Sequence, residues 1–435
     1  MIRVITYGTY DFLHHGHIRL LERAKALGDY LIVGVTSDDF DKMRGKINVQ
    51  QTLEERVAAV RATGIADKVI IEEYEGQKID DIRRYRVDIF TVGSDWVGHF
   101  DYINEFCKVV YLPRTDGISS SGIRTTSSCV NIGLVGYSSF LNKFYKESKY
   151  VNAVNVIGLC SHDTSKLSDL KELDFITENY CELLKLVDAV YIHSHPKYHY
   201  EQCRDAIENG KHVLCESPIA ENEDQCKTLI NLAKQNNCVL MEGIRTAYLT
   251  AYSRLLLLLK AGKIGRIASI DVTCTSLSTY GNFGNSSLKW GAMEAWGPTA
   301  LLPVLQLLGT DYKSINKYII PSEEYVGIDG FTKLNIDYEN ATATVKVGTD
   351  IKSESELIIS GVKGYAYVPA PWWKTDYFEI RFENAADNKR YFYQVEGEGI
   401  RYELVQLATA IREGNADYYI SRAVTEAISR IMEIV

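Results

Sequence analysis

The sequence has no apolar run approaching the ~20 residues that cross a bilayer. The five leucines Leu255 to Leu259 are too few and stop at Lys260, Gly262 and Lys263, which resemble a helix end, so they read as core or interface residues and no membrane association is expected. Positive charge is also short: 48 Lys and Arg stand against 57 Asp and Glu, a net charge of -9, which leaves no excess of cations for a nucleic-acid backbone. The nine cysteines are scattered singly from Cys107 to Cys274, with no close pair of the kind that builds a zinc knuckle or a disulfide framework, and this points to a reducing cytoplasm. The start Met1-Ile2-Arg3-Val4-Ile5-Thr6-Tyr7 reads as a strand, without the basic, apolar and small-residue segments of an export signal. A carboxylate cluster for a protein-held metal is missing too.

What remains is a globular composition, 46% hydrophobic and 24% charged, in a chain of 435 residues. At roughly 100 to 200 residues per domain that length suggests two or three. The pattern reads as three: residues 1-126, 129-246 and 247-435. In the first, apolar runs such as Val4-Ile5-Thr6-Tyr7, Tyr30 to Val35, Val69-Ile70-Ile71, Ile89 to Val92 and Val109 to Leu112 alternate with amphipathic stretches, the signature of a doubly wound parallel sheet. Thr52 with Glu55 three residues on predicts a capping box ahead of Val57 to Val60. A Ser/Thr/Gly-rich stretch from Gly117 to Ser128 resembles a linker. A second strand-helix alternation runs from Val130 to Met241, and an α+β region with strands such as Ala341 to Val347 follows Tyr248. The expected class is α/β: a Rossmann-like domain, a second Rossmann domain and an α+β open-sheet domain.

The first strand leads into Tyr7-Gly8-Thr9-Tyr10-Asp11-Phe12-Leu13-His14-His15-Gly16-His17 and then a helix expected over Ile18 to Leu27. Helix starts after a strand bind phosphate, because unpaired N–H groups and the helix dipole favour negative charge there. His14 and His17 flank Gly16, which lets the backbone come close, and both imidazoles can point at one phosphate. That suits nucleotidyl transfer, in which an acceptor phosphate oxygen attacks the α-phosphorus of a nucleoside triphosphate and charge grows on the α-phosphoryl oxygens.

The segment from Met1 to Arg124 closely resembles bacterial glycerol-3-phosphate cytidylyltransferases, through the His-x-Gly-His signature, Leu20 to Lys25, Gly93-Ser94-Asp95-Trp96, and Tyr111 to Ser121. The resemblance implies that His14, His17, Lys46 and Arg114 carry catalysis. It implies that Thr9, Tyr10, Gly16, Asp95, Thr115, Gly117, Ile118, Ser119 and Ser120 hold the nucleotide, so that the apparent linker is partly active site. Arg44 and Lys78 fall where the family places cations near the acceptor phosphate and CTP, and Asp11 is carried with them as an acceptor-binding residue. The implied cofactor is Mg2+, held mainly by the phosphates of CTP; no protein metal site is expected. Tyr10 in place of Phe, Ser120 and Ser121 in place of threonines, Val97 in place of an acidic residue and His99 in place of a lysine leave the choice of acceptor open.

From Val130 to Val435 the chain resembles the Gfo/Idh/MocA oxidoreductases, best over Asp188 to Ile192, His199 to Gln202 and Asn209 to Pro218. The family's Glu-Lys-Pro is Glu216-Ser217-Pro218 here, so the lysine is missing. The Asp and His expected further on fall at Ala295 and Thr299. The loop Gly136-Tyr137-Ser138-Ser139-Phe140-Leu141 keeps only the first glycine of Gly-x-Gly-x-x-Gly. No carboxylate follows the second strand at Cys160-Ser161-His162, which makes NADP a better fit than NAD. The favoured reading is a cytoplasmic cytidylyltransferase making a CDP-polyol from a polyol phosphate for wall or capsule polysaccharide, with an oxidoreductase-like half that has lost its chemistry, assembled as a homodimer or higher oligomer. Two alternatives stand beside it. One is a bifunctional enzyme whose second half reduces a keto-sugar phosphate with NAD(P)H, with His193, His195, Glu242 or Tyr248 as proton donor. The other is a nucleotide-binding regulator.

Overall fold

Successive residues of a buried parallel strand face opposite sides of its sheet, so both sides need apolar cover. In β1 (Arg3–Gly8) Val4 belongs to one core and Ile5 to the other; in β2 (Tyr30–Thr36) Leu31, Val33 and Val35 face one way and Ile32 the opposite way. The structure is a computed structural model. It describes the chain apart from residues 14, 44–48, 50, 75, 99, 114–128, 152, 278–289, 394, 396, 415–418 and 435, and the backbone alone of 15, 42, 43 and 95. Two units are present, Met1–Ser128 and Cys129–Val435.

The first unit continues with α1 (His15–Lys25), which lies between β1 and β2, then α2 (Asp38–Met43), α3 (Leu53–Ala62), β3 (Lys68–Glu72), α4 (Gln77–Tyr85), β4 (Ile89–Gly93) and β5 (Lys108–Leu112). Its sheet is wholly parallel in the order β3-β2-β1-β4-β5. Leu21 and Ala24 of α1 and Val57 and Val60 of α3 cover one face, and Ile82 of α4 with Ile103 covers the other. The order reverses between β1 and β4, and in such sheets ligands bind outside the carboxyl ends of the strands at that point.

The second unit opens with a six-stranded parallel sheet in the order β11-β10-β9-β6-β7-β8, built from β6 (Val130–Gly136), β7 (Val154–Cys160), β8 (Phe175–Thr177), β9 (Ala189–His193), β10 (His212–Glu216) and β11 (Leu240–Gly243). Its helices are α5 (Phe140–Ser148), α6 (Tyr180–Leu184), α7 (His199–Glu208) and α8 (Glu223–Gln235). After α9 (Thr250–Lys260) comes a mixed eight-stranded sheet. Its strands are β12 (Ile267–Thr275), β13 (Ser314–Pro321), β14 (Asp329–Asp337), β15 (Thr342–Gly348), β16 (Leu357–Gly361), β17 (Tyr365–Val368), β18 (Tyr377–Arg381) and β19 (Lys389–Phe392), ordered β13-β14-β15-β12-β16-β17-β18-β19. The apolar helix α10 (Ala292–Leu308) lies against β12, β14 and β15. The last helices, α11 (Ile400–Glu413) and α12 (Arg422–Ile434), pack back on α5 and α8. Both parallel sheets and the mixed sheet agree with the expected class. In α9 the leucine run divides: Leu255 and Leu259 are buried, while Leu257 is exposed. Among the described residues no helix is long and apolar enough to cross a membrane.

Candidate functional site

At the carboxyl end of β1 the backbone turns through Thr9 to Leu13, with Tyr10 (φ 55°) and Phe12 (φ 45°) in the left-handed region that costs a non-glycine residue ~1 kcal/mol or more. The surroundings hold this turn in place. Arg56 of α3, fully buried, donates from Nη1 to the carbonyls of Thr9 (2.7 Å) and Thr36 (2.8 Å), from Nε to the carbonyl of Gln51 (3.1 Å), and from Nη2 to Asp38. Asp41 lies 3.7 Å from the same guanidinium, and its Oδ1 accepts the Thr9 hydroxyl at 3.0 Å. Gln51 completes the brace: its N–H donates to Asp11 Oδ1 (3.0 Å) and its Oε1 accepts the Phe12 N–H (2.6 Å).

The helix α1 starts at His15, three residues before the expected Ile18, so Gly16 and His17 fall in its first turn. Its place in that first turn puts His17 among the helix's unpaired N–H groups. Tyr10 is buried with its ring edge-on to His17, centroids 5.5 Å apart, and Gly8 makes room for it, since a Cβ there would meet the Tyr10 ring at 3.0 Å. Thus Thr9, Tyr10, Asp11, Gly16 and His17 come together at the sheet's reversal point, Asp11 with its carboxylate engaged by backbone and Tyr10 as packing beneath the imidazole. Asp95 lies in the single turn Ser94–Trp96 at the end of the neighbouring β4. Arg23 of α1 holds the carbonyl of Pro113 at 2.6 Å, just before Arg114 in sequence. Candidates His14, Arg44, Lys46, Arg114, Thr115, Gly117, Ile118, Ser119 and Ser120 lie outside the described residues.

Lys78 is placed differently from a free surface cation. Its ammonium pairs with the buried Glu72 and lies over the rings of Tyr7 (4.8 Å) and Phe100 (5.6 Å). Glu72 in turn accepts the Thr36 hydroxyl at 3.0 Å. Beside it the Tyr7 hydroxyl donates to Asp81 at 3.0 Å, and burial followed by the Asp81 charge pushes that phenol far above its ordinary value. Arg56, Gln51, Asp41 and Glu72 were not singled out by sequence. The one available signal was Arg56 itself, a charge set on the apolar stripe of Leu53, Val57 and Val60.

In the second unit Ser217 Oγ donates to Glu242, whose carboxyl is buried and lifted to about 7 by desolvation. The Tyr248 hydroxyl donates to the Glu242 carbonyl at 2.8 Å. The His195 Nδ1 accepts the Lys197 N–H at 3.3 Å, and His193 stacks on Phe140. Ala295 and Thr299 lie within α10. Ser161 is engaged locally with the Asp163 carbonyl at 2.9 Å.

Comparison with known proteins divides the chain the same way. Residues 5–126 match the family described as cytidylyltransferase-like, and residues 130–244 match the oxidoreductase family with an NAD-binding Rossmann fold. A glycerol-3-phosphate cytidylyltransferase of Bacillus spizizenii is 48% identical over 124 residues, covering 28% of this chain and 95% of that protein. A scyllo-inositol 2-dehydrogenase (NADP+) of Bacillus subtilis is 25% identical over 251 residues, 54% of this chain and 74% of the relative. The solved 3-ketoreductase KijD10 of Actinomadura kijaniata, with NADP and TDP-benzene, superposes with a TM-score of 0.61 over 71% of this chain and 97% of its own at 16% identity, which shows the fold. Through its first unit the chain belongs to the glycerol-3-phosphate cytidylyltransferase family and is a nucleotidyltransferase, continued in one polypeptide by an oxidoreductase-like unit of the Gfo/Idh/MocA kind.

Proposed function

We propose that this chain transfers a cytidylyl group from CTP to glycerol phosphate or a similar small polyol phosphate, releasing pyrophosphate and a CDP-polyol, and that its second unit performs no redox turnover. The observation that carries the reading is the braced turn Thr9 to Leu13, which sets His17 at the start of α1 in a unit matching almost the whole length of a glycerol-3-phosphate cytidylyltransferase. An acceptor phosphate oxygen attacks the α-phosphorus, the bond to the β-phosphate oxygen breaks, and charge grows on the α-phosphoryl oxygens. His14 and His17, with the α1 amides, stabilise that charge, and Lys46 and Arg114 neutralise the triphosphate. Thr9, Gly16, Asp95, Thr115, Gly117, Ile118, Ser119 and Ser120 line the nucleotide, with Tyr10 supporting His17. Arg44 meets the acceptor; Asp11 and Lys78 act on it through the walls they hold. Mg2+ travels with the phosphates of CTP, whose oxygens suit it as ligands. We place the protein in the cytoplasm as a homo-oligomer, supplying a wall or capsule polymer.

A second reading, in which the other unit reduces a keto-sugar phosphate to supply the acceptor, draws on Glu242: a carboxyl held near neutrality behind the Ser217 hydroxyl is a proton source. Pyrophosphate release from CTP and Mg2+ with a panel of polyol phosphates separates the two, run on wild type and His14→Ala, with and without NADPH and keto-sugar phosphates. His14-dependent release on a polyol phosphate, unaffected by NADPH, is the expected result. Release only with keto-sugar plus NADPH selects the second reading, and no release with any acceptor overturns both.

A further inference from the structure

The order of the six-stranded sheet reverses between β6 and β9, and the crevice outside their carboxyl ends is where this class of sheet takes a dinucleotide. The two strand ends are register partners, Gly136 against His193. Across that point lies Phe140, the first residue of α5, its ring stacked on His193 at 5.0 Å between centroids and 24° between planes. The Arg245 guanidinium covers the same ring at 4.5 Å.

The stack is continuous with the packing beneath it. One helical turn on, Phe144 stacks on Tyr191 at 3.9 Å and 13°, so residues i and i+4 of the helix meet residues i and i-2 of the strand. Two parallel ring pairs therefore fasten α5 to β9, and Phe140 cannot swing aside without giving up the upper one. Gly136 is required by this closeness: at φ 134° a Cβ would sit 2.2 Å from the His193 carbonyl oxygen. The first glycine of the pattern, kept for the tight turn, also lets the two strand ends approach each other, while the second, which lets a backbone approach pyrophosphate, is Ser138 here. The Phe140 N–H, one of the first donors of α5, is already taken by Ser138 Oγ at 3.2 Å. Burial also holds the His193 imidazole below its ordinary value, so it lies against the ring as a neutral plate.

We propose that the Phe140–His193–Arg245 stack is a built-in occupant of the dinucleotide crevice, which excludes both NAD(H) and NADP(H) from the second unit. This rests on the reading of that unit as free of redox turnover and supplies its physical cause. The test is titration of the full chain with NADPH and with NADH, followed by energy transfer from tryptophan, on wild type, Phe140→Ala, His193→Ala and the double variant, each checked for folding by its melting curve. Phe140→Val, which stays apolar but withdraws most of the ring's volume, replaces any variant that does not fold. Wild type is expected to show no saturable binding, and the opened variants to bind at least about tenfold more tightly. Micromolar binding by wild type overturns both the occlusion and the redox-free reading. Folded variants that bind no better than a non-binding wild type overturn the occlusion alone.

Discussion

Arg56 does at the residue scale what no helix or strand does for the first site. A fully buried guanidinium with its hydrogen-bonding directions used on Thr9, Thr36, Gln51 and Asp38 fixes a turn that two left-handed residues would otherwise relax. Lysine offers a single point of charge and cannot reach several carbonyls in one plane. Arg56→Lys is therefore expected to lower kcat for pyrophosphate release by roughly tenfold or more through displacement of His17. Removal in Arg56→Met takes the buried guanidinium away from Asp41 and from the carbonyls of Thr9, Thr36 and Gln51, and is expected to cost about 3 kcal/mol of stability. Steady-state kinetics and denaturant titration check the pair. A folded Arg56→Lys enzyme with unchanged kcat would detach the clamp from the chemistry.

At the scale of elements, α3 carries Arg56, and its start is set by Thr52. The Thr52 hydroxyl accepts the Glu55 N–H at 3.3 Å, while Glu55 accepts the Thr52 N–H at 2.8 Å. Thr52→Ala is expected to destabilise the first unit by about 1 kcal/mol. For a unit of this size that lowers its melting temperature by about 4 °C, read by calorimetry in the transition that CTP raises. This capping box was legible in sequence because both partners lie three residues apart. The start of α1 was not: the positive φ of Phe12 shortly before it is accompanied by a hydrogen bond to Gln51, far along the chain. The tasks of Asp11, Tyr10 and Lys78 were hidden as well, since their residue types suit a ligand equally well and their partners Gln51, His17 and Glu72 are met only on folding. The parallel strands, by contrast, announce themselves, since strands covered on both faces read as unbroken apolar runs.

At the scale of the whole molecule, pH acts through buried groups that titrate in opposite directions. Glu242 has its carboxyl raised from 4.5 to about 7, first by desolvation, and Glu403 is likewise raised well above its ordinary value. Such acids favour the folded state while protonated, so their contribution is full below the unfolded value and is lost as pH rises through the folded one. His199, buried and lowered from 6.5 to about 4 mainly by desolvation, works the other way: its contribution is full above 6.5 and lost as pH falls towards 4. Between pH 4.5 and 6.5 the Glu242 and His199 slopes oppose each other, and the wild type conceals both. Glu242→Gln keeps an acceptor for Ser217 and removes one titration. Relative to wild type it is expected to gain about 3 kcal/mol between pH 4.5 and 7, with no further change from this residue above that. Four of the five tryptophans, Trp290, Trp296, Trp372 and Trp373, lie in the second unit, so denaturant titration followed by tryptophan fluorescence in the full chain reports chiefly on it. If the difference between variant and wild type stays flat across that range, Glu242 does not hold its proton in the folded chain, and the proton source invoked for a reductase is lost with it.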